Sequence, residues 1–355
     1  MESAWVWLFS CTPGASASAA APAFAALALL TAWAWDARFR EPANAWHPVA
    51  WLGRLLGPLG HRLVRWPAGP AFAGGAVAWC LIAALLGWMA ATLESVLARV
   101  ACSGPSWWAM LAAAGCGVLL KPCLAWRMLH DEVQSVDRAL GVGLQAGRDQ
   151  VARLASRDVQ TLDEAGVRET AIETLAENLN DSFVAPLFWF VVAGLPGAVI
   201  YRFANTCDAM WGYRGRFEWA GKWAARADDM LSWVPARITA SVLAPGWMSA
   251  GHPRLRREAA RTPSPNGGWP MAAMALQLGV RLRKPGVYAL NADAPPPEAR
   301  HHEQALQCAG VAARMALGLA VAATLLAPAL HAATAEWVTP WVAGWVARWA
   351  AGWVA

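Results

Sequence analysis

The residues best equipped for chemistry lie in the stretch 168–186, RETAIETLAENLNDSFVAP. On a helix, Glu169, Glu173 and Glu177 fall at i, i+4 and i+8, so one face carries three stacked carboxylates. Asn178 and Asp181 sit beside them. Like charges one turn apart destabilise a helix, so a divalent cation or a ring of arginines would have to offset them. Oxygen-rich sets of this kind suit Mg²⁺, which takes one or two carboxylates and completes its shell with water and phosphate oxygens. Taken alone, the same run also reads as a solvated helix face.

A second block, 205–237, reads NTCDAMWGYRGRFEWAGKWAARADDMLSWVPAR. Asn205 and Asp208 are about one helical turn apart; Tyr213, Arg214, Arg216 and Lys222 follow, then Arg226, Asp228, Asp229 and Arg237. Acids and arginines alternate there beside apolar flanks, and ionisable groups near a membrane tend to be functional. Arginine offers planar, bidentate contacts to phosphate, and paired aspartates can hold a metal that bridges phosphate oxygens. The other reading is an ion-pair network that clamps the neighbouring apolar segment.

Two smaller signals accompany these. DARFREPANAWHPVAWLGR places Asp36, Glu41, His47 and Arg54 where an apolar stretch ends, with His47 an acid–base candidate. The run Ser264-Pro265-Asn266-Gly267-Gly268-Trp269-Pro270 has small polar groups and exposed amides that could approach a phosphate, or form a simple turn. No G-x-x-x-x-G-K-[ST] loop occurs, since Gly221-Lys222 is followed by Trp223. The glycines of 141–147 miss the dinucleotide fingerprint by one residue and follow a helical segment. There is no H-E-x-x-H or G-x-S-x-G. Any ATP chemistry therefore needs an unconventional site.

The elements that must position these residues are membrane helices. Of 355 residues, 57% are hydrophobic and only 15% charged. Soluble domains carry roughly a quarter charged residues, so the chain is short of solvating side chains. The net charge of +5 fits arginine-rich cytoplasmic loops better than nucleic-acid binding. Seven cysteines without a C-x-x-C pair support neither a disulfide framework nor a zinc site. A span needs about 20 apolar residues, and 17–35, 72–97, 105–125 and 308–330 qualify. With no Lys or Arg before residue 38, the N-terminus is expected outside and retained, without a cleaved leader. The segments 126–182 and 204–306 are then cytoplasmic. The intervening apolar piece 183–203 has Gly194-Leu195-Pro196-Gly197 at its centre, a strong turn signal. A re-entrant helical hairpin is expected there, with a pair of short crossing helices as the alternative. Residues 251–306 read as polar, Pro-rich loop. Tryptophans at 337, 341, 345, 349 and 353 mark 336–355 as an interfacial tail. The expected fold is an all-α polytopic membrane protein forming one domain over 1–355, with four or five membrane-inserted helices.

The order of these blocks resembles the CbiB/CobD family of cobinamide-phosphate synthases. The motifs are D…EP…HPV…GR, SRD, AIETLAENLNDSFVAPLFW, NTCDAMWGYR, ARADDMLSWVPAR and SPNGGWPMAAM, in family order over roughly residues 30–290. Cys207, Ala209 and Ser232 depart from the family's usual Leu, Ser and Asn, which puts Ser232 in doubt as an amide ligand.

The resemblance implies ATP-dependent amide synthesis, joining adenosylcobyric acid to (R)-1-aminopropan-2-ol or its O-phosphate. It implies ATP and Mg²⁺ as cofactors and a corrinoid as substrate. It also implies an inner-membrane location with the site facing the cytoplasm, among membrane lipids and other membrane-bound late cobalamin-pathway enzymes. A carboxylate is a poor electrophile and must first be phosphorylated, which calls for cations around the transferring phosphate. The amine must then attack unprotonated, which calls for a base. The expected catalytic residues are Glu173, Glu177, Asp181, Asp208 and Asp229, with Glu177, Asp181, Asp208 and Asp228 as metal ligands. Substrate and phosphate contacts are expected from His47, Arg54, Asn178, Asn205, Tyr213, Arg214, Arg226, Arg237, Ser264 and Asn266. The rival reading is a non-enzymatic signalling or assembly protein of the AmpE type, which would tolerate loss of single acids.

Overall fold

The computed structural model describes residues 15–39, 41–43, 45–155, 158–213, 215–247 and 252–351, with side chains from 21 to 326. The chain is an all-α polytopic membrane protein, with one two-stranded hairpin among the described residues. Four helical stretches are long and apolar enough to cross a membrane: Ala68–Ser103, Ser106–Val142, Glu164–Trp211 and Ala299–Leu326. The predicted stretch 17–35 is also a helix, α1 (Ala15–Arg38), although it is not among those four.

After α1 come α2 (Pro48–Leu63) and α3 (Ala68–Ser103), which extends the predicted 72–97 at both ends. The predicted 105–125 is a shorter helix, α4 (Ser106–Leu120), closed by a tight turn over Lys121–Cys123. Pro122 ends regular hydrogen bonding there. The charged segment beyond it forms α5 (Trp126–Val142) and α6 (Leu144–Val151). Its apolar residues Leu129, Val133, Val136 and Leu140 recur at helical spacing and are buried.

Helix α7 (Glu164–Leu179), capped by the Asp163 side chain on the Gly166 N–H, carries the three stacked glutamates. It runs through a π-turn at Asn180–Val184 into α8 (Ala185–Trp211). Such turns add a residue to the helix and often mark functional sites. Within α8 the backbone leaves helical geometry at Ala193 and Gly194, the latter at φ +67°, a conformation suited to glycine. There the chain doubles back. A Cβ on Gly197 would lie 2.3 Å from the Trp189 carbonyl oxygen, and Arg202 reaches Ser182. The predicted turn at Gly194–Gly197 is thus the tip of a helical hairpin whose polar ends, near 181 and 201, meet. At about 1.5 Å per residue, 195–211 rise about 25 Å, short of the roughly 30 Å of a bilayer core.

Helix α3 runs alongside this second limb. Trp79 stacks near Phe203, Gly87 faces Ile200, and Glu94 meets the tip at Gly194. Of residues 251–306, expected to be loop, those from 252 onward are instead built into short elements and packed. They form α10 (Pro253–Ala259), α11 (Gly268–Leu278) and a hairpin of β1 (Leu282–Lys284) with β2 (Tyr288–Leu290). Between them and α8 lies α9 (Lys222–Leu243), and the chain closes with α12 (Ala299–Ala351). The tryptophan side chains of 336–355 lie outside the described residues.

Candidate active site

The two acidic blocks come together at the base of the hairpin. Asn205, on the returning limb of α8, lies beside both Asp181 from the π-turn and Asp228 from α9 and acts on both carboxyls. Asp208 and Asp229 face the same space and act on Asp228. Around them Tyr201 Oη reaches Asp181 at 3.4 Å and Ser232 Oγ at 3.0 Å. Asn180 Nδ2 donates to Asp181 at 2.8 Å while its Oδ1 accepts from Thr239 at 3.0 Å. The π-turn explains this geometry, because its extra residue sets Asn180 and Asp181 against both α8 and α9.

The cluster is electrostatically loaded. Burial, together with the carboxylates of Asp181, Asp208 and Asp229, pushes Asp228 well above the ordinary aspartate range. Burial also raises Asp229. Asp228 Oδ1 is buried without a hydrogen-bond partner. Arg202, which acts on Asp181 and donates to Ser182 Oγ at 3.3 Å, is the cation turned toward this group.

The Ser264–Trp269 loop closes the same space. Ser264 Oγ accepts the N–H groups of Asn266 and Gly267 at 3.2 and 3.0 Å. Asn266 Nδ2 donates to the Asp229 carbonyl at 2.7 Å, and its Oδ1 accepts from Arg237 at 2.7 Å. Gly267 gives room to Glu177, whose Oε1 lies 2.9 Å from where a Cβ would stand. Arg237 lies between Trp233 and Trp269, 4.5 and 4.7 Å from their ring centres, and donates to the Trp233 and Pro265 carbonyls. Its contacts thus brace the loop.

Other expected site residues stand elsewhere. Glu169 and Glu173 are each 1% exposed, so this face of α7 is not solvated. Arg281, just before β1, and Arg283 within it bind Glu169 at 3.2 and 3.1 Å, a structural clamp. Asn178 is half-buried and donates to its own helix at the Thr174 carbonyl. Arg54, Tyr213 and Arg226 are exposed, and Arg214 lies outside the described residues. His47 caps α2 through Nδ1, which accepts the Val49 N–H at 3.2 Å. Its Nε2 therefore carries the proton and donates to Glu41 at 3.1 Å.

His47 belongs to a neighbouring network. Lys121 ion-pairs with Asp36 at 3.1 Å and with Glu41, while the Arg127 N–H donates to Asp36 at 2.9 Å. Burial pushes Glu41 upward, but the hydrogen bonds from His47 and Lys121 outweigh it and hold the carboxyl below its ordinary range. The Ala125 N–H donates to the Ser182 carbonyl at 2.9 Å and ties this network to the π-turn.

The donor set fits Mg²⁺. An orphaned carboxylate oxygen on Asp228 and several mutually repelling acids call for a cation. Among the described residues no three His, Cys, Asp or Glu side chains form a ready-made metal cage. Mg²⁺ does not need one, since it keeps waters and shares phosphate oxygens.

The CobD/Cbib protein family profile matches residues 29–317. The chain belongs to the CobD/CbiB family. A relative from Thermococcus kodakarensis, named a probable cobalamin biosynthesis protein CobD, is 42% identical over 73% of this chain and 83% of its own length. The cobalamin biosynthesis protein CobD of Stutzerimonas stutzeri is 40% identical over 76% of this chain and 88% of its own. That of Rhodobacter capsulatus is 38% identical over 71% and 81%. No solved structure matches. In this CobD/CbiB protein, four of the six motif blocks supply the acid cluster and its loop, and the D…EP…HPV block supplies the Lys121 network.

Sequence reasoning passed over Lys121, Tyr201 and Arg202. Lys121 and Arg202 each end an apolar stretch as its lone cation, and that isolation is the signal that could have found them.

Proposed function

We propose that this protein catalyses ATP-dependent amide formation in cobalamin biosynthesis. It joins adenosylcobyric acid to (R)-1-aminopropan-2-ol or its phosphate, at the cytoplasmic face of the cell's inner membrane. The observation that carries this reading is that Asp181 and Asp228, from two distant blocks, meet beside Asn205 and Arg202. The names of the relatives supply the pathway.

In this reading Asp181, Asp208 and Asp228 would hold Mg²⁺, with Glu177 of α7 beside the closing loop at Gly267. The ion supplies charge neutralisation for phosphoryl transfer when bound. Arg202 faces the anionic groups of the nucleotide or acyl phosphate, where a fixed guanidinium stabilises developing charge. Asn205 and Asn180 hold the aspartates in orientation. The Ser264–Gly267 loop, braced by Arg237, closes the pocket and excludes water, which would otherwise hydrolyse an activated carboxyl group. A carboxylate of the cluster takes the proton from the attacking amine.

The test is direct. Purified protein in detergent is given ATP, Mg²⁺, adenosylcobyric acid and aminopropanol or its phosphate. Formation of ADP and an amidated corrinoid in equal amounts is the expected result. Corrinoid left unchanged with every nucleotide and amine tried would remove the reading.

A further inference from the structure

A second polar recess of about 640 Å³ lies outside the acid cluster, where α1, α5 and α12 meet. Helix α12 contributes Glu303, Gln307, Gly310 and Arg314, which share one face at helical spacing. Helix α5 contributes Trp126, Arg127 and Asp131, and α1 contributes Ala37 from its last turn.

Arg314 is the unusual member. It stands inside the apolar stretch that opens at Cys308, and among the described residues it pairs with no acid. A charge at that depth is costly unless it reaches a polar layer. Side chains on a helix lean toward its N-terminus, here the polar end of α12. Arg314 does so: its Nη1 lies 3.6 Å from where a Cβ on Gly310 would stand, and the Trp126 ring edge lies 3.8 Å from the same point. The guanidinium thus lies against the helix at the level of Gly310, one turn closer to the polar end. Arg127 joins it in lining the recess, anchored by the Ala37 carbonyl at 3.0 Å and Asp131 at 2.9 Å.

The charges are also ordered along the axis. Among the described side chains of α12, Arg314 is the charge farthest from the polar end, and Glu303 lies farther out, about 10 Å beyond the level of Gly310. Two arginines face two carboxylates, so the recess is close to neutral. A singly anionic ligand would meet Asp131 and Glu303 unfavourably. A ligand carrying phosphate inboard and ammonium outboard would match both.

We propose that this recess binds the headgroup of an aminoalkyl glycerophospholipid, with its phosphate on Arg314 and Arg127 and its ammonium toward Asp131 and Glu303. The acyl chains follow the exposed apolar residues Val311, Met315 and Leu319 of α12. The same aminoalkyl phosphate chemistry could also arrive as a soluble small molecule, and the experiment separates the two.

The full chain is purified, delipidated in detergent and followed by native mass spectrometry. It is titrated with phosphatidylethanolamine, phosphatidylglycerol or soluble phosphoethanolamine. The expected result is a one-to-one phosphatidylethanolamine adduct held about tenfold more tightly than phosphatidylglycerol and not displaced by phosphoethanolamine. Arg314→Gln removes a charge-assisted contact and lowers retention at least about tenfold. Glu303→Gln, on the exposed rim, narrows the preference between the two lipids. Equal retention of both lipids, unchanged binding in both variants, or displacement by phosphoethanolamine would each overturn the proposal.

Discussion

Glu94 Oε1 accepts the backbone N–H of Leu195 at 2.9 Å, although the two residues lie 101 positions apart. Helix α3 thereby satisfies a peptide group freed by the break at the hairpin tip. Inside an apolar layer such a group has no water to turn to. Glu94→Leu leaves the N–H unsatisfied and should lower stability by about 1–3 kcal/mol. Glu94→Gln keeps an acceptor and should lose far less. Gly194→Ala should be severe, because its φ is +67° and the new Cβ would lie 2.6 Å from Glu94 Oε2. Thermal unfolding in detergent ranks the three, and equal melting of Glu94→Leu and wild type would remove the pin.

The hairpin geometry makes a prediction about sidedness. Its two ends meet at Asp181 and Tyr201, and a re-entrant hairpin would return the loops before and after it to one face. A cysteine at position 216, in a background freed of the native cysteines, should label only from the cytoplasmic side. Labelling by a membrane-impermeant reagent added to intact cells would refute the re-entrant placement.

Lys121 is 5% exposed and holds the two carboxylates of Asp36 and Glu41. Removing one partner of a buried ion pair costs about 3–5 kcal/mol, because the other charge is left uncompensated. Lys121→Met should therefore unfold at a much lower temperature than Glu41→Gln. The Glu41 carboxyl titrates below its ordinary value of 4.5 in the folded protein. Its contribution is then fully present above about pH 4.5 and fades as pH falls through the lower folded value. The melting difference between wild type and Glu41→Gln should be constant near neutrality and shrink in acid. A difference that grows in acid would reverse the sign of the argument.

Asn266 connects Arg237 to the Asp229 carbonyl. Asn266→Ala releases both and should lower turnover at least about tenfold by loosening the loop over the pocket. Arg237→Lys keeps the charge but not the planar fork, and should behave similarly. Normal turnover in both variants would mean that the loop does not close the site.

Much of the fold was legible in the sequence. The apolar stretches near 72–97 and 308–330 lie within helices, and Gly194-Leu195-Pro196-Gly197 marks a chain reversal because no straight helix accommodates it. The acidic blocks could be recognised as chemically dense, yet their meeting depends on the hairpin bringing residue 201 back to 181. Pairings of that range leave no local trace. Glu94 was overlooked for the same reason, as a lone acid in an apolar run whose partner is a distant backbone amide. Arg237 shows the opposite difficulty, since its charge was visible while the two indoles and three carbonyl oxygens that engage it were not. The segment 251–306 hid its structure because α10, α11 and the β-hairpin are too short for a clear period, although Gly268–Leu278 is almost wholly buried.

The central claim is that Asp181 and Asp228 serve one site. The most direct measurement is turnover of Asp181→Asn, Asp228→Asn and the double variant, each shown to be folded in the membrane. Each single replacement should lower amide formation by at least about a hundredfold, and the double should be scarcely worse, as for groups that act as a unit. Near-normal turnover in either single variant, or losses that simply multiply in the double, would contradict the account.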